Sequence, residues 1–273
     1  MTTGPATPAP TMPADMVMEV LGTAAGDVLL IGGQALAVWA RHFGVVRTDR
    51  YDITRDVDFL VTDPDDRAMV RRFAQALGGQ SVFPHPRNAM TALVGSAYKE
   101  VGDSTYNVDV LFRVFGMVRE DVERNSVTME TAGVRTKVMH PIDVLESRCI
   151  NLHKLAEKQN DAGVRQLDLA IRVVDAYLRQ QAARMTTPGD PEEMCTRKLM
   201  NLFSPVVDLA NESAARKNAE RHGVHVADAI PVDLIPPGPF WDNQWDRLSQ
   251  LMSPERVDAC LRGFRKRFDI PTP

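Results

Sequence analysis

The sequence has few cysteines, no long apolar run and no excess of basic residues. The three cysteines, Cys149, Cys195 and Cys260, are far apart and match no zinc-ligand or CxxC spacing. They are therefore expected to be reduced and packed, as in a cytosolic protein. No stretch approaches the roughly 18 apolar residues that a membrane span requires. The net charge of −4 excludes a basic field over the whole surface, so nucleic acid binding would need a local patch.

The remaining composition is ordinary for a globular protein. A chain of 273 residues can bury a sizeable core, and its length favours one or two domains. Residues 1–13 are rich in Thr, Ala and Pro and have neither a basic n-region nor an apolar h-region. They are expected to form a flexible leader and not a signal peptide. The composition thus predicts a soluble, cytoplasmic protein with no membrane partner.

The first half of the chain alternates predicted strands and helices. A short apolar strand ends at Ile31, and Gly32-Gly33 separates it from a helical pattern over residues 34–43. The other elements predicted here are strands over residues 57–61, 92–97 and 106–112, a helix over 64–77 and a hairpin over 127–139. This order favours an α/β (α+β) domain over residues 14–140, with a mixed sheet, flanking helices and a functional site at strand ends.

From Pro141 onward the pattern becomes helical. Helices are predicted over residues 141–158, 164–184, 192–203, 205–222, 241–252 and 254–268. Residues 230–239 contain four prolines and are expected to form a rigid extended connector. The second domain is therefore predicted to be a helical C-terminal region over residues 141–273.

Two carboxylates in the segment Asp56-Val-Asp58 are the most informative feature. Alternate residues of a strand point to the same face, so Asp56 and Asp58 are expected to project together. Two adjacent carboxylates repel each other, and a divalent cation between them removes the repulsion. The glycine turn at Gly32-Gly33, with Gln34 after it, opens a helix whose backbone N–H groups can bind phosphate. Together these features predict a metal-dependent nucleotidyl-transfer site.

Asp109 is the best candidate for a third carboxylate. In its strand the apolar residues alternate, which leaves Asn107 and Asp109 on the other face. An acid in such a strand is expensive to bury without a cation or hydrogen bonds. Asp103 is the weaker candidate, because it lies in a Gly-Asp-Ser loop where acids are common.

Each motif has an ordinary alternative. A lone Asp-x-Asp is usually a solvated strand face, and a Gly-Gly after a strand is usually only a turn. The combination of a Gly-Gly before a helix, an Asp-x-Asp in a strand and an Asp in a later strand is far rarer. That combination favours the catalytic or nucleotide-binding interpretation.

With Gly32-Gly33, Asp56-Val-Asp58 and Asp109, the chain resembles the polymerase-β-like nucleotidyltransferases, and within them the abortive-infection AbiEii/AbiGii-type proteins. The resemblance covers roughly residues 28–178. It implies that Asp56, Asp58 and Asp109 bind two Mg²⁺ ions and that Asp109 also acts as the base. It also implies that an NTP is the donor and that Gly32, Gly33 and Gln34 contact its phosphates. Two departures are a longer gap before Asp56, with a predicted loop over residues 47–54, and Gln34 where many relatives have Ser or Thr.

A second, looser block extends the resemblance into the helical half. It comprises Met139-His-Pro-Ile-Asp143, Arg148, Arg165 and Asp168. Arg148 matches the basic position and could contact the triphosphate bidentately. Arg165 and Asp168 match a later basic–acidic pair. Because they are three residues apart, they could instead simply pair with each other on one helix face.

The sequence therefore predicts an enzyme that moves an NMP group from an NTP to an acceptor hydroxyl. The resemblance adds the hypothesis of a toxin acting on tRNA or other RNA, with a cognate antitoxin protein as a possible partner. The alternatives are transfer to a small molecule, as in antibiotic adenylylation, and a non-catalytic module that senses a nucleotide. The basic run from Arg262 to Arg267 could touch RNA phosphates, but a solvated helix end is the preferred interpretation.

Overall fold

The structure is a computed structural model that describes residues 12–24, 28–45, 56–85, 92–131, 133–187 and 189–269. The predicted loop at 47–54 lies outside these ranges, as do residues 1–11 of the predicted leader. The described residues divide into two compact units. Unit 1 comprises those within Met1–Val38 and Thr48–Ser147, and unit 2 those within Trp39–Arg47 and Arg148–Pro273.

Unit 1 is built on a seven-stranded sheet, and the prediction of a mixed sheet is confirmed. Its strands are β1 (Leu29–Ile31), β2 (Asp56–Leu60), β3 (Gln80–Val82), β4 (Leu93–Val101), β5 (Ser104–Leu111), β6 (Val127–Thr131) and β7 (Val134–Val138). Their order in the sheet is β3-β4-β5-β2-β1-β7-β6. Strand β2 runs parallel to β5 and antiparallel to β1, and β1 runs parallel to β7.

Five helices begin in unit 1. They are α1 (Ala14–Thr23), α2 (Gly32–His42), α3 (Arg67–Leu77), α4 (Arg119–Asn125) and α5 (Pro141–Lys154), of which α2 and α5 extend into unit 2. Asp66 caps α3 by accepting a hydrogen bond from the Met69 N–H at 3.0 Å, and Gly78, with φ of 61°, ends it. Phe73 of α3 stacks on Phe59 of β2 at a centroid distance of 4.7 Å. Helix α3 therefore covers the apolar face of the sheet.

Unit 2 is helical, as predicted. After the end of α5 come α6 (Asp161–Met185), α7 (Glu192–Asn211), α8 (Ser213–His222), α9 (Pro239–Asn243), α10 (Trp245–Ser249) and α11 (Pro254–Arg267). Its core is formed by apolar side chains of these helices, among them Leu167, Val174, Phe203, Val206 and Phe240. Arg179 joins α6 to the residues before α9 with paired hydrogen bonds of 2.9 and 2.8 Å to the Asp233 carboxylate.

Several element boundaries differ from the sequence prediction. The predicted break before Pro205 is wrong, because α7 continues through that residue. Burial of Phe203, Val206 and Leu209 on one side of α7 offsets the hydrogen bond that proline cannot donate. Residues 230–239 are not simply extended, since Val232–Leu234 form a 3₁₀ turn. Within the described ranges, no helix combines the length and apolar character needed to cross a membrane.

Candidate active site

The register of β2 and β5 places the predicted carboxylates on one face of the sheet. Asp58 lies directly opposite Asp109, and Asp56 lies opposite Asn107, on strands that run parallel. Adjacent strands are about 4.8 Å apart. All three aspartates are partly exposed, whereas Val57 and Phe59, which alternate with them, are fully buried. The alternation predicted from the sequence therefore puts Asp56, Asp58 and Asp109 on the same face of two neighbouring strands.

Gly32 lies against the Asp58 carboxylate. A β-carbon on Gly32 would overlap Asp58 Oδ2, and the φ of Gly32 is 70°, in the left-handed region that favours glycine. Helix α2 begins at this residue, so Gly33 and Gln34 form its first turn. The N–H groups of a first helical turn have no acceptor within the helix and can bind an anion. The structure thus places the start of α2 next to one of the carboxylates.

The electrostatics of Asp109 follow from its surroundings. Burial raises the pKa of its carboxyl group, a hydrogen bond from Ser96 lowers it, and the charge of Asp56 raises it again, with a net increase. Ser96 Oγ donates to Asp109 Oδ1 at 2.6 Å from the neighbouring strand β4. Sequence reasoning missed Ser96, although its position in a predicted strand was a usable signal. A carboxylate with a raised pKa is suited to accepting a proton.

The three aspartates suit a divalent cation in their chemistry. Carboxylate oxygens are the donors that Mg²⁺ prefers, and a cation would relieve the repulsion between Asp56 and Asp109. In the part of the chain that the structure describes, however, no three Asp, Glu, His or Cys side chains are placed to hold a metal ion together. The register and donor set therefore fit Mg²⁺, whereas the side-chain arrangement is not a preformed metal site. Metal binding belongs to the proposal below.

His140, just before α5, and Asp143, in its first turn, both take part in hydrogen bonds. Burial lowers the pKa of His140 to about 4, and its Nδ1 accepts a hydrogen bond from the Ile142 N–H at 3.2 Å. Burial raises the pKa of Asp143 to about 6, partly opposed by hydrogen bonds from Asn125 Nδ2 of α4 at 3.3 and 3.4 Å. This part of the second sequence block therefore has a structural role within unit 1.

The basic residues and the later acid of the second block lie in unit 2. Arg148 is half-buried on α5 and donates a hydrogen bond of 3.2 Å to Gln166 Oε1. Arg165 is exposed on α6. Asp168 forms an ion pair of 3.3 Å with Arg172 on the same helix. These residues belong to a different compact unit from the three aspartates.

Asp168 also lines a cavity of unit 2. The cavity has a volume of about 530 Å³, and its walls include Phe43, Arg172, Asp175 and Arg256. Asp175 is already paired with Arg256 at 2.5 Å and with Arg179 at 2.9 Å. The polar groups of this wall therefore neutralise one another, which is typical of a structural ion-pair network.

Comparison with known proteins adds little to this geometry. No protein-family model matches the chain, and no curated protein matches it. Among solved structures, the chain is similar to the Megavirus polyadenylate synthase, at 12% identity and a TM-score of 0.38, over 76% of this chain and 48% of that chain. The chain therefore spans about half the length of that protein. The resemblance to AbiEii/AbiGii-type proteins stays a prediction.

Proposed function

We propose that this protein is a metal-dependent nucleotidyltransferase that moves an NMP group from an NTP to an acceptor hydroxyl. The observation that supports it most is the direct opposition of Asp58 and Asp109 on parallel strands, with Asp58 against the glycine at the start of α2. Nucleotidyl transfer depends on positioning and charge neutralisation. Carboxylates on neighbouring strands, beside a helix start that can bind an anion, are suited to both.

Each residue has a defined role in the proposal. Asp56 and Asp58 would hold Mg²⁺, and Asp109 would hold the second Mg²⁺ ion. When bound, the ions neutralise the charge of the triphosphate. The N–H groups of the first turn of α2, at Gly32, Gly33 and Gln34, bind phosphate oxygens. Asp109 accepts the proton of the acceptor hydroxyl while the hydroxyl oxygen bonds to the α-phosphorus. The bond between the α-phosphorus and the α–β bridging oxygen breaks, and pyrophosphate leaves.

The sequence resemblance adds Arg148 to this proposal as a nucleotide contact. Arg148 binds the triphosphate, because a guanidinium on a packed helix can form paired hydrogen bonds to phosphate oxygens. Its hydrogen bond to Gln166 orients the side chain before the nucleotide binds. The support for Arg165 and Asp168 is weaker, because Arg165 is exposed and Asp168 is paired with Arg172.

The test is a transfer assay with labelled NTPs, Mg²⁺ and separate pools of RNA, protein and small metabolites. The wild type should label one pool, and Asp58→Asn should not, because it removes a charge with little change of shape. Asp103→Asn is the matched control, since Asp103 is exposed in the turn between β4 and β5. Equal labelling by the wild type and Asp58→Asn would exclude the assignment. Nucleotide binding by the wild type with no labelling of any pool would favour the non-catalytic sensing module.

The identity of the acceptor is the finer part of the proposal. The toxin hypothesis, with tRNA as acceptor and an antitoxin as partner, depends on the sequence resemblance alone. If it holds, expression of the wild type should arrest growth and expression of Asp58→Asn should not. Transfer to a small molecule, in contrast, should leave growth unchanged while labelling the metabolite pool.

A further inference from the structure

A cluster of basic side chains lies where the end of α5 meets α8 in unit 2. It comprises His153, Lys154, Lys217 and Arg221, and we refer to it as the α5–α8 basic cluster. Partial burial lowers the pKa of His153, and the nearby charges of Lys217, Arg221 and Lys154 lower it further. Each of these three cations therefore lies close enough to the imidazole for its charge to act on it.

A buried hydrogen bond fixes the two helices that carry the cluster. Asn218 of α8 is fully buried, and its Nδ2 donates to the Cys149 carbonyl oxygen of α5 at 2.9 Å. Because Asn218 is next to Lys217 in sequence, this contact sets the position of Lys217 relative to α5. Lys217 and Arg221 are four residues apart and share a helix face. The contact thus fixes the helix positions that carry the cluster.

The cluster is not neutralised by acidic side chains. Lys154, Lys217 and Arg221 are exposed, and no side-chain ion pair or hydrogen bond joins any of them to another described residue. By contrast, the partly buried cations Arg172, Arg179, Lys198 and Arg256 of unit 2 each pair with an aspartate. With a net charge of −4, the chain does not lack acids for such pairing.

Helix dipoles do not account for the whole cluster. Lys154 and Arg221 lie in the last turns of α5 and α8, where cations are favoured. Each helix end contributes roughly half a negative charge, so the two ends offset about one of the three positive charges. Lys217 lies in the middle of α8, and its spacing of four residues from the like charge of Arg221 is destabilising. About two positive charges of the cluster therefore have no compensating negative charge. A contribution to the stability of the fold does not explain their presence.

We infer that the α5–α8 basic cluster binds the phosphate backbone of a single-stranded polynucleotide, which serves as the acceptor. The inference rests on the proposed function and chooses RNA over a small molecule. A membrane surface fits less well, because a membrane-bound helix exposes large apolar side chains. Among the described residues, the exposed large apolar side chains are Val82, Val101, Phe115, Val118 and Met185, and none lies on α5 or α8.

The test measures RNA binding by the full chain, without NTP, as a function of salt. The probe is a fluorescent single strand of about 20 nucleotides, longer than common single-strand site sizes. Each lost phosphate contact should lower the slope of log K against log salt by about 0.7. Lys217→Gln/Arg221→Gln should therefore lower the slope by about 1.4. Relative to the wild type, the affinity of this variant should then fall about 25-fold more at ~0.1 M salt than at ~1 M salt.

Two variants separate this effect from general charge and from misfolding. Arg262→Gln/Lys266→Gln removes the same charge from an exposed pair with the same spacing on α11 and should keep the wild-type slope. Lys217→Arg/Arg221→Lys keeps the charge and should keep most of the binding. A slope unchanged by the α8 pair, or lowered equally by the α11 pair, would overturn the inference. So would cluster-dependent binding to anionic lipid vesicles in place of RNA.

The same assay separates this inference from the proposed function. Asp58→Asn should bind RNA as the wild type does, because the cluster and the carboxylates act independently. If the α8 pair has no effect on RNA binding while the wild type labels a small molecule, only the inference fails. If RNA binds through the cluster but the wild type labels no pool, the cluster is an RNA-binding site, and the proposed transfer fails together with the role of RNA as its acceptor.

Discussion

The carboxylate of Asp58 lies so close to the backbone of Gly32 that any β-carbon at residue 32 would overlap Asp58 Oδ2. This contact joins the start of α2 to the middle of β2. It explains why the glycine turn and the Asp-x-Asp segment, although far apart in sequence, form one site.

Gly32→Ala should therefore damage the site more than the fold. The left-handed φ of 70° costs an alanine about 1–2 kcal/mol, and the overlap must also displace the Asp58 carboxylate. Gly102→Ala is the matched control, because Gly102 has a φ of 57° and open space around its α-carbon. Urea unfolding should show a loss of stability in both variants, and transfer assays should show loss of activity in Gly32→Ala alone. Full activity in Gly32→Ala would contradict the assigned contact.

Ser96→Ala should change the pH dependence of transfer. The hydrogen bond from Ser96 lowers the pKa of Asp109, so its removal should raise that pKa. If Asp109 is the base, the acidic limb of the kcat/KM profile moves to higher pH. Tyr98→Phe removes a hydrogen bond of 3.0 Å to Gln80 from the same strand and should leave the limb in place. An acidic limb that Ser96→Ala does not move would remove Asp109 from the role of base.

His140 and Asp143 should make opposite contributions to the pH dependence of stability. Burial raises the pKa of Asp143 from 3.8 to about 6, so the folded state holds an extra proton and stability falls as pH rises through this window. Burial lowers the pKa of His140 from 6.5 to about 4, so the folded state has lost a proton that the unfolded chain keeps, and stability rises with pH. Between about pH 4 and 6 the two slopes, each at most about 1.4 kcal/mol per pH unit, cancel.

Single substitutions should expose each slope. Relative to the wild type, Asp143→Asn should gain stability as pH rises from about 4 to about 6, and His140→Gln should lose it over the same range. Urea unfolding at several pH values within this range measures both differences. Difference curves that stay flat with pH for either variant would show that its group does not titrate as described.

Arg148→Ala should weaken NTP affinity or slow transfer about ten- to more than a hundredfold, since a hydrogen bond to a charged group contributes about 1.5–3 kcal/mol. Arg148→Lys should recover only part of this, because a point charge replaces a planar fork. Gln166→Ala removes the same intramolecular hydrogen bond but keeps the guanidinium, so it controls for altered packing. Steady-state kinetics with varied NTP separate the two effects. Wild-type kinetics in Arg148→Ala would return Arg148 to a purely structural role.

Much of unit 1 could be predicted from the sequence because alternation and glycine turns are local signals. The alternation of acidic and apolar residues in Asp56–Leu60 predicted both the strand and the partly exposed position of its two acids. The pairing of β2 with β5 could not be predicted, since β3 and β4 lie between them in the sequence and only the folded sheet brings Asp58 opposite Asp109. The hydrogen bond from Ser96 depends on the same long-range register.

Other elements were missed for different physical reasons. Strand β3 has only three residues, Gln80–Val82, too few for a periodic pattern, and α4 has a single buried residue, Val122. Pro205 was interpreted as a helix boundary because proline lacks a backbone donor, but burial of neighbouring apolar residues keeps α7 continuous. The α5–α8 basic cluster combines two helices that are distant in sequence, so no single segment predicted it.

The most direct test of the central claim is to follow the two ends of the NTP separately. With wild-type protein and Mg²⁺, label on the α-phosphate should become attached to the acceptor, and label on the γ-phosphate should appear in pyrophosphate. Chelation of Mg²⁺, or either Asp58→Asn or Asp109→Asn, should abolish both signals, whereas Asp103→Asn should not. Label from the γ-phosphate on the acceptor, or α-label transfer that persists in Asp58→Asn, would contradict nucleotidyl transfer by these carboxylates.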